Sequence, residues 1–477
     1  MVSHSFPIVP LLLPLLVGGC PRPPDPSAAR RPAPPCPAEA PAPPVLPGHH
    51  PLHDLPGFWL QEVDAPEAVI LDEKQIAAHN RQVRALHSGS FPSGRWDLRQ
   101  LKLQMTRIQA KWEADLRALE QAVTEGKRVL AGGKKPDALL RQLQREVAAA
   151  KPADELRVVR REAPLRCYPT PEGFYENAWL LAFDLAQCAE LRPGEPVRVM
   201  GKARTHWYVW STYAHGWVLP DALTPPLSEA QAAGYLSPER FVVVQRDRVA
   251  LWADRSGKGL LTMARLGTRL PLEEQTPTAL RVTAPGSSGL TSAWLLTPEA
   301  VSIDGYPPLT HQHVLERAFG LLDSPYGWGG MGGHRDCSRF LMDLFAAFGL
   351  ELPRNSRNQS EAGTRRVELE KLDESAKTEA IQQAARQGVV LLYLPGHIML
   401  YVGRDNDRLH ALHEFSGYLV PCRGAGGKER GAGETMVRVN RAAVTSLELG
   451  RGSSRSAFIE RVTRLVLLAP PEHADAH

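Results

Sequence analysis

The sequence predicts a multidomain α+β protein: a helical N-terminal region, two small β-rich units and a C-terminal α+β unit. Three observations predict it. A chain of 477 residues exceeds what one core fills, and domains of roughly 100 to 200 residues make about three units. The texture changes near residue 155 from helical periodicity to short β-rich runs, and near residue 308 to mixed helix and strand. Shortly after that second change a lone cysteine, Cys337, opens a strongly apolar helical pattern. The formal charge of +4 is small for this length and the basic residues are scattered, so no nucleic-acid partner is implied.

Residues 1–20, "MVSHSFPIVPLLLPLLVGGC", hold a short apolar run that ends in small residues and then Cys20. The run is too short for a stable membrane span and reads as an export signal. It resembles a bacterial lipoprotein signal. That resemblance implies that Cys20 becomes the lipidated first residue and that an N-terminal lipid anchor holds the protein at a membrane of the periplasm or cell envelope; ordinary secretion is the alternative. Residues 21–56 follow as a proline-rich tether, with twelve prolines in positions 21–48, a composition that cannot build a core of its own.

Residues 57–154 read as a helical region. Leu101, Met105, Ile108, Trp112, Leu116, Leu119 and Val123 recur at gaps of four and three, one helical stripe. Gly126 and "AGGKKPD" break it, and "PDALLRQLQREVAAA" opens a second helix on Pro136, giving a helical hairpin.

The β-rich units span 155–226 and 238–305. "LRPGEPVRVMGKARTHWYVWSTYAHGWVLPDAL" resembles a bacterial SH3-like (SH3b) domain, and "FVVVQRDRVALWADRSGKGLLTMARLGTRL" resembles it in outline, which implies two small β-barrels. Trp207, Tyr208, Trp210, Tyr213 and Trp217 alternate between core and outward positions, and an outward subset would stack on peptide or sugar. Cys167 and Cys188 fall in the first unit and fit either a disulfide or two buried thiols. None of the six cysteines has metal-ligand spacing, and His311, His313 and His334 read as surface or loop residues, so no metal is expected.

The last unit, 308–470, carries the chemistry. In "SPYGWGGMGGHRDCSRFLMDLFAAFGL" the face Phe340, Leu341, Leu344, Phe345 and Phe348 makes the segment after Cys337 a buried helix, stopped by Gly349 and Pro353. Asp336 is its N-cap, and the free amides of the first turn are expected to lower the thiol pKa towards thiolate. The glycines of "GWGGMGG" are expected to let a substrate backbone approach. A thiol nucleophile needs a base, and His397, opening the strand "HIMLYVG", is the candidate. A third polar group should orient the imidazole. The next strand offers His410 and His413, on opposite faces if it is regular.

"PYGWGG", "DCS" at the head of an apolar helix, "GHIMLYVG" and "LHA" occur in an order and spacing that resemble the NlpC/p60 family of cysteine peptidases. The resemblance implies a papain-like fold, no cofactor, and a catalytic triad of Cys337 as nucleophile, His397 as base and His410 as third residue, with His413 the competitor. It implies that Tyr326 lies near the nucleophile and helps the oxyanion, and that Asp336 and Ser338 contact the amino-terminal end of the substrate. Members with preceding SH3b domains cleave between γ-D-glutamate and a diamino acid in peptidoglycan stem peptides or muropeptides, so that activity is expected here. Amidase or transpeptidase chemistry on the same fold and a noncatalytic wall-binding module are the alternatives. The sequence departs from the family at Arg339, where many members have glycine.

Overall fold

The computed structural model describes residues 37–86, 98–179, 181–422 and 433–470. The expected signal, with Cys20, and the first part of the tether lie outside them. Three sheets of six or seven strands organise the described residues, each preceded by or packed on helices, and a two-stranded sheet adds to them. Among the described residues no helix is long and apolar enough to cross a membrane.

The helical hairpin is formed by Leu98–Thr124 and Asp137–Ala148. Its stripe is buried from Ile108 to Leu119, and Trp112 seats its ring 5.0 Å from Tyr208 and 4.8 Å from Trp217. The hairpin therefore lies on the first β unit, whose aromatics serve as its floor. An earlier helix, Glu73–Leu86, packs on the C-terminal unit instead, where Asn80 exchanges hydrogen bonds with Gly349 and Glu351.

The first β unit is a six-stranded sheet in the order Lys151–Val158, Pro196–Lys202, Trp207–Trp210, His215–Val218, Ala163–Arg166, Gln187–Leu191. A disulfide joins Cys167, just after the strand Ala163–Arg166, to Cys188 within the strand Gln187–Leu191. The second is a seven-stranded sheet running from Leu260–Ala264 at one end to Val301–Ile303 at the other. Valines, leucines and alanines at alternating positions form the core of each. The order of strands leaves both sheets with free ends, so the closed barrels expected from the sequence are not what the hydrogen bonding builds.

The C-terminal sheet has the order Glu39–Pro41, Glu434–Ser446, Arg408–Pro421, His397–Asp405, Val389–Leu394, Arg464–Leu468, Arg365–Glu368. Cys337–Ala346 is the helix packed against it, buried along Cys337 to Phe345. The strand Glu39–Pro41 corrects the expectation of a free tether over 21–56. It pairs in parallel with Glu434–Ser446, with Ala40 opposite Val437. Leu46 is buried, and Trp59 is fully buried in the same apolar cluster as Cys337 and Phe340. A proline-rich segment cannot make a core, but at a sheet edge its missing N–H groups cost little and it borrows the core of another unit.

Candidate active site

Cys337 opens its helix at the end of the sheet where His397 begins its strand. The N–H of Ile398 points at the Cys337 sulfur, which places the thiol against the first residues of that strand. Asp336 caps the helix by accepting from the Arg339 N–H at 2.8 Å. Both residues line a cleft of about 1210 Å³ with Tyr326, Ser338, His397, Phe415 and Phe458, and with Phe183, Gln187 and Tyr213 from the first β unit.

The partner of His397 is His413. Its Nδ1 lies 2.7 Å from His397 Nε2, and its Nε2 lies 2.8 Å from the Thr445 hydroxyl. The His413 ring is stacked 4.2 Å from Phe415 and held edge-on by Phe458 at 5.1 Å. His410, expected in this place, is elsewhere: its Nδ1 meets the Arg408 carbonyl at 3.0 Å, and its ring lies among His53 and Trp59.

The reason is one extra residue. Two turn residues, Asn406 and Asp407, pair Asp405 with Arg408, and that register continues to Gly403 opposite His410. Carried on regularly, it would put His410 on the face of His397. A bulge at Val402 shifts the ladder, so that Tyr401 meets Ala411 and Leu400 meets Leu412, and a slip of one residue exchanges the faces. His413 then shares the side of His397. Gly403 allows the bulge with a φ of 150°, and a Cβ there would stand 2.7 Å from the Trp59 ring. The parity of the spacing was readable in the sequence; the bulge was not, and its glycine lies against a tryptophan more than 340 residues away.

The electrostatics differ from expectation. Burial, reinforced by the Asp336 carboxylate, pushes the Cys337 thiol up to about 12, outweighing the amides of the helix end. Burial also pushes His397 down to about 3 and His413 well below its usual range. At rest the thiol and the imidazole are both neutral. Burial raises the Tyr326 phenol, with the Cys337 and Asp336 charges as further causes, which places the phenol in their company.

Asp336 and Ser338 line the cleft, but their polar atoms are already engaged. Asp336 Oδ1 accepts from Ser338 Oγ, the Arg339 N–H and Arg354 Nη1, and Oδ2 accepts from the Gly329 N–H and Arg354 Nη2. Burial opposes its charge, yet the Arg354 guanidinium holds its carboxyl below the usual range. The expected binding of a substrate ammonium by Asp336 therefore gives way to a helix cap paired with an arginine. Arg354, from "ELPRNS", was missed because a guanidinium in a loop gives no periodic signal. The glycines before Cys337 also serve another purpose. A Cβ on Gly329 would stand 2.6 Å from Gln187 and one on Gly330 2.8 Å from Glu190, so they admit a strand of the first β unit.

A buried thiol heading a helix, sharing a cleft with an imidazole that is oriented by a second polar ring, is the arrangement of a cysteine-type hydrolase. The NlpC/P60 family matches residues 323–419, and the C-terminal unit is an NlpC/P60 domain. Over 200 residues the chain is 28% identical to a γ-D-glutamyl-L-lysine dipeptidyl-peptidase of Bacillus cereus (strain ATCC 10987 / NRS 248). That match covers 41% of this chain and spans 57% of the relative's length. A solved structure of an NlpC/P60 endopeptidase from Photobacterium damselae subsp. piscicida superposes with a TM-score of 0.65 at 16% identity, covering 87% of this chain and 97% of that one. The likeness extends the shared fold beyond the C-terminal unit to most of the described chain. An NlpC/P60 family protein from Bacillus cereus ATCC 10987 gives a TM-score of 0.45 at 16% identity, over 66% of this chain and 100% of its own.

Proposed function

We propose that the protein is a cysteine endopeptidase that cleaves the bond between γ-D-glutamate and a diamino acid in peptidoglycan stem peptides. The observation that carries it is the 2.7 Å contact of His397 with His413 in the cleft that holds Cys337. For Nδ1 of His397 to take a proton, its Nε2 must carry the hydrogen. Nε2–H then donates to Nδ1 of His413, and Nε2–H of His413 donates to Thr445 Oγ. The Cys337 sulfur attacks the γ-carbonyl carbon as its proton passes to His397 Nδ1. The C–N bond breaks as that proton moves to the departing amine, leaving a thioester. Water attacks the thioester carbon and gives a proton to Nδ1; the C–S bond then breaks, releasing the acid, and the sulfur takes that proton back from Nδ1 to restore the thiol. Tyr326 is the donor to the oxyanion in this reading.

The name of the Bacillus cereus relative supports the choice of bond. We further infer that the two β units are SH3-like modules and that Cys20 is lipidated after export, anchoring the enzyme to a membrane of the cell envelope. The test is mass spectrometry of defined muropeptides after incubation with wild type and Cys337→Ala. A new amine on the diamino acid, produced by wild type alone, supports the proposal; release of a lactyl-sugar from L-alanine replaces it with an amidase. Retention of Cys20→Ala in the membrane fraction would remove the lipid anchor from the reading.

A further inference from the structure

One stretch of the cleft is lined by Tyr418 and Leu419, from the strand that carries His413, and by Ser453, Arg455, Phe458 and Arg461, from the segment that leads into the strand Arg464–Leu468. Phe458 joins this stretch to the site, its ring 5.1 Å from His413 and 5.9 Å from His397. Arg461 lies over the same ring, with its guanidinium carbon 4.8 Å from the ring centre. A cation thus stands one aromatic neighbour removed from the imidazole that hands a proton to the departing amine.

That cation lacks a counter-ion. Its Nε is buried and meets no acceptor, and among the described residues Arg455 and Arg461 are the two arginines of the cleft that make neither a hydrogen bond nor an ion pair. The acids nearby are taken: Glu460 and Glu448 face Arg451, and Glu434 accepts from Ser454. Elsewhere along the cleft Glu195 and Asp343 hold Arg339, Asp336 holds Arg354 and Glu351 holds Arg84. Burial pulls the Arg461 guanidinium below its usual range and the charge of Arg455 adds to this, while Glu460 opposes it. A half-buried guanidinium without an anion is costly, and a carboxylate arriving in the cleft offsets that cost with charge-assisted hydrogen bonds.

The leaving group can supply the carboxylate. What departs past His397 is the diamino acid, whose α-carboxylate is two bonds from the scissile nitrogen and stays beside the imidazole. The far end of its side chain reaches past Phe458. Lysine presents an ammonium there, which two arginines repel, whereas diaminopimelate presents a carboxylate with its ammonium.

We propose that Arg461, assisted by Arg455, forms a carboxylate subsite that selects diaminopimelate over lysine as the diamino acid after the cleaved bond. The proposal rests on the endopeptidase reading above. Its test is kcat/KM on the free tripeptides L-Ala-γ-D-Glu-meso-diaminopimelate and L-Ala-γ-D-Glu-L-Lys. Wild type should prefer the first by about tenfold or more. In Arg461→Met, which keeps an apolar stem on Phe458 and removes the charge, the ratio should fall towards one, mainly through a raised KM for the diaminopimelate peptide. Any effect of the lost charge on His397 and His413 acts on both peptides and cancels in the ratio. Arg455→Met, at an exposed position, should lower the ratio part of the way, and it decides the matter if Arg461→Met does not fold. Amidating the side-chain carboxylate of the diaminopimelate peptide should cost as much as the exchange for lysine, and amidating its α-carboxylate should cost less. The reverse order assigns the arginines to the α-carboxylate and overturns the proposal. Equal or opposite preference in wild type, or an unmoved ratio in the folded variants, also overturns it and leaves the endopeptidase standing. Cleavage of neither peptide by wild type overturns both.

Discussion

Replacing His413 with alanine removes the acceptor that meets His397 Nε2 at 2.7 Å and leaves that N–H facing an apolar box of Phe415 and Phe458. A buried donor without a partner costs about 1 to 3 kcal/mol. In the resting enzyme the ring can escape this cost by turning or by moving its hydrogen to Nδ1, and either change takes away the nitrogen that must accept the thiol proton. The loss therefore appears in turnover, as a fall in kcat of roughly 5- to 150-fold with KM little changed. His413→Asn, whose amide oxygen can accept from Nε2–H, should recover part of it. His410→Ala is the control: it removes a ring packed on His53 and Trp59 and should lower thermal stability while leaving kcat of the folded enzyme near wild type. The assay is steady-state cleavage of the free tripeptide, with unfolding followed in parallel so that activity is referred to folded protein. A larger loss in kcat from His410→Ala than from His413→Ala would refute the reasoning.

Three further outcomes are expected. Because burial and Asp336 push the Cys337 thiol up to about 12, its alkylation by iodoacetamide without substrate should be slow at pH 7 and rise about tenfold per pH unit towards pH 10; a fast rate that is flat from pH 5 to 8 would reveal a preformed thiolate–imidazolium pair. Glu414 is wholly buried, with Ser324 Oγ on one oxygen at 2.6 Å, and burial raises it to about 9. The folded state holds its proton more tightly than the unfolded chain, so its stabilising contribution is complete below about pH 4.5 and is lost as pH rises through 9. Glu414→Gln should accordingly reduce the fall in Tm between pH 5 and pH 9, and an identical fall in both proteins would rule out this role. Gly403→Ala places a methyl group against Trp59 at a φ of 150° and should destabilise by about 1 to 3 kcal/mol. Its kcat should also fall below that of His410→Ala, because the bulge that presents His413 is disturbed; an unaltered kcat would separate the bulge from the site.

What was legible in the sequence was what neighbouring residues decide. The apolar face after Cys337 and the cap at Asp336 specify a helix locally, and the apolar run from His397 specifies a strand. The third residue was not legible, because its face depends on a bulge supported by Trp59, and regular alternation from the turn at Asn406 leads to His410. The thiol pKa failed for a related reason. A helix end is read from a few residues, whereas the burial that opposes it comes from packing of the whole unit. The proline content of 21–48 argues against a core of its own, but composition does not show that Glu39–Pro41 can join an existing sheet. Arg339 stood out as a departure, and its bonds to Glu195 and Tyr213 required the structure to bring residues 190–213 against the nucleophile helix.

The pairing of Ala40 with Val437 joins segments almost 400 residues apart in one sheet, and this sets the order in which the C-terminal unit can form. During synthesis the N-terminal segment emerges first and has no edge to join until the hairpin that carries Glu434–Ser446 follows almost 400 residues later. Both β units can collect their own strands in the meantime, since their pairings close over short stretches of chain. The peptidase core cannot, because Trp59 must wait for Phe340 and Leu400. The C-terminal unit is thus completed only after Glu434–Ser446 has emerged, and a fragment begun at residue 308 to isolate the catalytic unit would lack both its edge strand and a central tryptophan of its core.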